Sequence, residues 1–372
     1  MKVRLGDVLE LNPRESIVKN TIARKISMTD LKPFTRDIPT FSYEKYSGGA
    51  KFRNNDILLA RITPCLENGK TALVNILDKD EVAFGSTEYF VLRAKKGLID
   101  PYYLYYLSIS QDFRNVVIKS MTGTSGRQRA QKDAILEYKL DLPNIQEQQS
   151  IAKQLRALDD KIRLNKQIND NLLEFLDAIF VKKFLNSCKQ KDTISDFAEI
   201  TRGASPRPIS KYIVPTGRPW VKISDVTSLT SPFLSETKEY ISEEGIQNSR
   251  TVEPGDLILS NSATPGIPIF MDLEASVHDG WLIIRNLKMI SKEWLYLYFR
   301  QMRKQLVAQS NGSVFNNLKT QIVKDFPMPL ITQAEVDNFQ QIVAPIFGDL
   351  KALHHENIQL KEIRDCLLSR YF

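Results

Sequence analysis

Followed for alternation of apolar and polar positions, the chain runs through one series of elements twice. Phe52–Pro64 (FRNNDILLARITP) and Val252–Pro265 (VEPGDLILSNSATP) each place a turn and an Asp before an apolar strand, then close a polar loop with proline. Tyr89–Ser108 (YFVLRAKKGLIDPYYLYYLS) and Trp281–Arg300 (WLIIRNLKMISKEWLYLYFR) follow as strand, turn and aromatic-rich amphipathic helix. Met121–Pro143 and Ser310–Leu330 each read as a Gly-containing polar loop, a short helix and a strand ending at proline. Each half then closes in a long helical segment, Ile145 to about Phe184 and Ile331 to about Tyr371, at an offset of about 190 residues. Four matches in one order mark an internal repeat.

The long segments share a 3.5-residue period, which keeps one seam facing a partner helix. Leu155, Leu158, Ile162, Asn165, Asn169, Leu172, Leu176 and Ile179 form the first seam; Ile346, Leu350, Leu353, Asn357, Leu360, Arg364 and Leu367 form the second. Asparagines in a seam cost stability and penalise slipped registers. Helix one delivers the chain to the second globular part, and helix two leaves it, so packing of one on the other requires an antiparallel pair. Forty helical residues reach roughly 60 Å. The expected architecture is therefore α+β, with two similar α/β heads joined by two long antiparallel coiled-coil helices in an internal pseudo-twofold repeat. The expected bounds are head one at 1–143, central spacer helix at 144–186, head two at 187–329 and C-terminal spacer helix at 330–372.

Two unlike heads on a ruler suit duplex DNA, whose grooves present equivalent faces only at whole helical turns. Composition agrees mildly: 51 Lys plus Arg against 44 Asp plus Glu give a net charge of +7. Three cysteines and three histidines are too scattered for a disulfide framework or a zinc knuckle. In head one, Thr124, Ser125, Arg127, Gln128 and Arg129 follow or surround flexible glycines, and Arg61, Thr63 and Lys70 lie on the loop after the apolar strand. In head two, Asn311, Ser313, Asn316 and Asn317 occupy the matching Gly loop, Asn261, Ser262 and Thr264 the post-strand loop, and Arg202, Ser205, Arg207 and Lys211 a basic loop. Arg matches the guanine edge, Asn the adenine edge, and the hydroxyls suit phosphate.

The stretch LPNIQEQQSIAKQLRALDDKIRLNKQINDNLLEFLDAIF, with Pro143, Glu147, Gln148, Asp159, Asp160, Lys161, Ile162, Asn165 and Ile168, closely resembles the central spacer of type I restriction-modification specificity subunits. FAEITRGASPRPISKYIVPTGRPWVKISDVT (Phe197–Thr227), through Gly203, Pro206, Trp220, Ile223 and Asp225, resembles the start of a target recognition domain in that family, as does GDLILSNSATPGIPIF (Gly255–Phe270). The second helix departs, with PLITQAEVDNFQQIV where the family's Pro-x-x-x-Glu-Gln pattern would stand. The resemblance implies two target recognition domains reading the halves of a split, asymmetric double-stranded DNA site, with the spacers fixing the gap. It also implies docking of two adenine methyltransferase subunits and of motor and nuclease restriction subunits. S-adenosylmethionine, ATP and magnesium would then belong to those partners. The polar helix face, Glu147, Gln148, Gln149, Lys153, Arg156, Lys161, Arg163 and Lys166, is the candidate docking surface.

Catalytic motifs are missing from the residues. There is no Asn-Pro-Pro-Tyr run, no glycine-rich cofactor loop and no P-loop. Asp225, Glu236 and Lys238 match a metal-nuclease pattern only through free spacing. A non-catalytic reader is expected, with a stand-alone nuclease and a protein-binding coiled-coil scaffold as rivals. The absence of an apolar leader or spanning run predicts a cytoplasmic protein without membrane contact. The aromatic band PYYLYYLS is expected to be core, because Trp294, Tyr296 and Tyr298 recur at its counterpart.

Overall fold

The computed structural model describes residues 1–124, 126–185, 190–227, 229–309 and 317–372. They form two compact units, Met1–Ile162 with Gln359–Phe372, and Arg163–Ile358. These units cut through both long helices, since each helix segment packs with the head beside it.

In the first unit, β1 (Leu9–Leu11), β2 (Asp56–Ala60), β3 (Thr71–Leu73) and β4 (Tyr89–Ala94) make an antiparallel sheet ordered β1-β4-β2-β3. A second four-stranded sheet lies behind it, containing Ile22–Ile26, Ser42–Lys45, Ala50–Phe52 and Ala83–Gly85. Every residue of β2 is buried because both of its faces are covered. Ile57 and Leu59 join the core beneath helix α1 (Pro101–Ile109), while Leu58 joins the core of the second sheet. Phe90 and Leu92 of β4 divide from Tyr89 and Val91 in the same way.

α1 begins where Asp100 accepts the amides of Tyr102 and Tyr103 at 2.9 and 3.0 Å, with Pro101 in its first turn, where the missing N–H costs no intrahelical bond. A short helix α2 (Lys132–Leu136) precedes the long α3 (Ile145–Phe180), which runs on as a π-helical turn through Leu185.

The second unit repeats this plan. Its strands β5 (Glu199–Arg202), β6 (Phe233–Leu234), β7 (Leu257–Ser260), β8 (Pro268–Met271) and β9 (Trp281–Arg285) are ordered β5-β9-β7-β8-β6. The first four of that order match the first unit, and β6 adds a parallel edge. Leu257 and Leu259 face the core beneath α4 (Lys292–Gln309), and Ile258 faces the opposite core. The aromatic band is core in both units: Tyr103, Tyr105, Tyr106, Trp294, Tyr296 and Tyr298 are all buried. Helices α5 (Thr320–Lys324) and α6 (Gln333–Tyr371) complete the repeat.

Within each unit the long-helix segments are antiparallel. In the first, Tyr371 pairs with Gln154 and Arg364 with Asp159, both at 3.1 Å. Asp159 also accepts the Tyr106 hydroxyl at 2.8 Å, and Asp160 accepts Arg36 at 2.6 Å, tying α3 to its sheet. In the second unit Asn165 faces Asn357, and Phe180 packs edge-on against Phe339 at 5.8 Å. Leu155, Ile162, Asn165, Asn169 and Leu176 of the expected seam are buried.

Candidate nucleic-acid interface

The candidate residues of head one come from loops distant in sequence that share backbone bonds. Arg61, directly after β2, donates its amide to the Glu88 carbonyl at 3.0 Å and accepts the Ala130 amide at 2.8 Å. Thr63 donates both N–H and Oγ1 to the Gln128 carbonyl, at 3.0 and 3.2 Å. The post-strand loop and the glycine loop are thereby one surface. Positive φ angles at Gly123 (128°) and Gly126 (78°) are conformations that a side chain would oppose, and they let the loop fold back so that the Arg127 amide reaches the Thr124 carbonyl at 2.9 Å. Thr124 and Arg127 are exposed.

Glu88 organises this surface. Arg129 forks onto it through Nε at 3.0 Å and Nη2 at 2.7 Å, and Arg61 approaches at 3.7 Å while lying over the Phe90 ring. The hydrogen bonds from Arg129 hold the Glu88 carboxyl below its ordinary range, against partial burial. Lys70 differs from expectation: its Nζ turns inward to the Met28 carbonyl at 2.7 Å, which uses its charge to fasten a loop.

The second unit repeats the backbone geometry with other side chains. Asn261 donates its amide to the Gly280 carbonyl at 2.9 Å and accepts the Leu318 amide at 2.7 Å, the two bonds that Arg61 makes. Asn261 therefore stands where Arg61 stands, and Asn317 where Arg129 stands. Asn317 is exposed. Asn261, expected to reach a base edge, is instead buried, and its amide donates to the Asp279 carbonyl at 3.3 Å. Ser262 and Thr264 are half-buried in a turn closed by the Thr264 amide on the Ser262 carbonyl at 2.6 Å.

Asp279 gathers the basic loop. Arg202 donates through Nε to its carbonyl at 2.7 Å, Ser205 Oγ donates to its carboxylate at 2.8 Å, and the Arg202 and Arg207 guanidinium groups stand 3.6 and 3.5 Å from it. Burial raises the Asp279 carboxyl, but the Ser205 hydrogen bond and the Arg202 charge bring it below its ordinary range. Arg207 is 83% exposed, and Lys211 lies exposed at the end of a short turn.

Sequence reasoning missed both acids, because it searched these loops for donors to DNA. The available signal was position: Glu88 directly precedes β4, and Asp279 stands two residues before β9. Ser125, Asn311, Ser313 and Asn316 lie outside the described residues.

On the proposed docking face, Glu147, Gln149, Lys153, Arg156, Lys161 and Arg163 are exposed and Lys166 is half-buried. Arg156 lies over the Tyr102 ring at 4.6 Å, so part of its surface is spent within the unit. Gln148 departs from the expectation. It is 1% exposed, accepts the Asp100 amide at 2.9 Å, and donates to the carbonyls of Leu98 and Pro143 at 3.2 and 2.9 Å. Those groups are left without strand or helix partners where the chain enters α1 and α3, and Gln148 satisfies them. Glu147 closes a capping box with Asn144 at 3.0 and 3.3 Å. Among the described residues no cluster of three or more His, Cys, Asp or Glu is placed to hold a metal ion, and no helix is long and apolar enough to cross a membrane.

Several known proteins are similar to this chain. The EcoAI specificity subunit of Escherichia coli is 30% identical over 154 residues, which is 41% of this chain and 26% of that protein's length. The HindI specificity subunit of Haemophilus influenzae is 24% identical over an alignment covering 86% of each chain. A crystal structure of the type I restriction-modification S subunit from M. genitalium, 17% identical, superposes with a TM-score of 0.58 over 100% of this chain and 96% of its own, and so shares the fold. The model of the type I restriction modification DNA specificity domain matches at residues 1–174 and again at 187–363, and the chain belongs to that family, carrying its domain twice.

Proposed function

We propose that this chain is the DNA sequence-specificity subunit of a type I restriction-modification complex. Each head reads one half of a split, asymmetric duplex site, and the long helices set the gap between the halves. The convergence of Arg61, Thr63, Gln128 and Arg129 at one sheet end, and of Arg202, Ser205 and Arg207 around Asp279 in the repeat, carries this reading. Such clusters combine base-edge forks with phosphate donors. The exposed residues of α3 and α6 supply the docking surface for two adenine methyltransferase subunits and for the motor and nuclease subunits. The chain itself is non-catalytic, S-adenosylmethionine, ATP and magnesium being bound by the partners, and it works in the cytoplasm where its DNA lies.

Co-expression with adenine methyltransferase subunits, purification of the complex and genome-wide mapping of methylated adenines test the proposal. A split motif with a constant gap supports it. Methylation without a motif, or no association with the methyltransferase, overturns it.

A further inference from the structure

We infer that Glu88 and Asp279 are positioning residues for specificity, fixed counter-anions that aim the arginines of each head and make contact with the wrong DNA unfavourable. The inference rests on the function proposed above.

A half-exposed carboxylate amid DNA-contacting arginines opposes phosphate binding, so affinity alone would not select it. Glu88 occupies the Nε edge of Arg129, which leaves the edge formed by its two terminal nitrogens to fork onto a guanine in one fixed plane. Asp279 restrains Arg202 through its carbonyl while its carboxylate faces Arg202 and Arg207.

The two acids are not copies of one repeat position. The main-chain bonds equate Glu88 with Gly280, so Asp279 is displaced by one residue. A carboxylate has thus been placed beside the arginines twice, from different backbone positions, on a scaffold whose other equivalences hold in register. Shared scaffold does not explain that; a shared requirement for a negative charge does. Two costs follow for an incorrect duplex. Its phosphates meet a fixed anion, and its base edges meet the guanidinium groups of Arg129 and Arg202, which their hydrogen bonds hold from swinging to accommodate them.

The test uses the complex assembled with its methyltransferase, presented with a randomised pool of duplexes, and compares wild type, Glu88→Gln and Asp279→Asn by sequencing the bound fraction. Each variant should lose about tenfold in discrimination, Glu88→Gln at one half-site only and Asp279→Asn at the other. Non-specific binding should hold or tighten, and the slope of log affinity against log salt should steepen by about one as a guanidinium is released to phosphate. Glu88→Asp, which keeps the charge but shortens its reach to Arg129, should lose discrimination at the same half-site without steepening the salt dependence, and it stands in if Glu88→Gln does not fold. Equal change on all duplexes, or none, overturns the positioning role while leaving the functional reading intact. Absence of selection by the wild-type complex overturns both.

Discussion

Asn165 donates through Nδ2 to Asn357 Oδ1 at 3.1 Å across the buried seam of the second unit, and also reaches Glu356 at 2.7 Å. Both asparagines are nearly sealed from solvent, at 0% and 8% exposure. A slip of either helix would strand two amides among leucines, which is how a costly pair specifies a register. Asn165→Leu alone should destabilise the chain by about 1–3 kcal/mol by leaving Asn357 unsatisfied. Asn165→Leu with Asn357→Leu should recover most of the loss. Urea unfolding midpoints of the two single variants and the double variant check this.

The same seam gives a test of spacing. Four residues, about one helical turn, inserted after Asn165 and matched by four before Asn357, should alter the gap accepted between half-sites and leave the bases read at each unchanged. Methylome mapping of the altered complex distinguishes this from a change in the bases themselves, which would remove the spacer role.

Arg127 differs from Arg129 in having no ion pair among the described residues. Arg127→Ala should therefore lower selectivity at one half-site by about 1–3 kcal/mol with no change in thermal stability. Arg129→Ala should do so while also uncoupling Glu88. Competition binding with half-site variants, alongside melting curves, separates the two effects. Loss at both half-sites from Arg127→Ala would contradict division of labour between the heads.

Gln148 and Gln149 are adjacent but have opposite expected behaviour. Gln148→Ala strands one amide and two carbonyls and should cost about 1–3 kcal/mol of stability. Gln149→Ala, on an exposed position, should stay within about 0.5 kcal/mol, and any effect should appear in assembly with partner subunits. Thermal melts of the chain and pull-down of the methyltransferase check the pair.

His278 makes the second unit sensitive to acid. Burial lowers its pKa below the ordinary 6.5, the nearby Asp279 pulls the other way, and Lys222 and Arg202 add to the lowering. The neutral ring accepts the Gly280 amide at Nδ1 at 2.8 Å and sits between the rings of Trp220 and Trp281. Since the unfolded chain takes the proton first, the stabilisation is complete above about pH 6.5 and is lost as pH falls through the lower folded value. Melting temperature should drop as pH falls below about 6.5, and His278→Leu should flatten that slope.

Pattern along the chain is enough to give the duplicated order of elements, the apolar strands, the aromatic cores and the helical seam. Each of these is a local regularity. Ile57, Leu58 and Leu59 form a continuous apolar run because both sides of the strand are covered, and Leu155, Ile162 and Asn165 recur at the helical period because one face is covered. Tertiary structure alone decided which polar groups meet. Arg129 lies 41 residues from Glu88, and Arg202 lies 77 from Asp279. Neither partnership leaves a period in the sequence. The same holds for the inward turns of Lys70, Gln148 and Asn261, whose side chains answer backbone groups exposed only when distant loops close on one another. A polar residue in a loop reads identically whether it faces solvent, DNA or an unpaired carbonyl, and the fold settles which by the hydrogen bonds that burial leaves to be made.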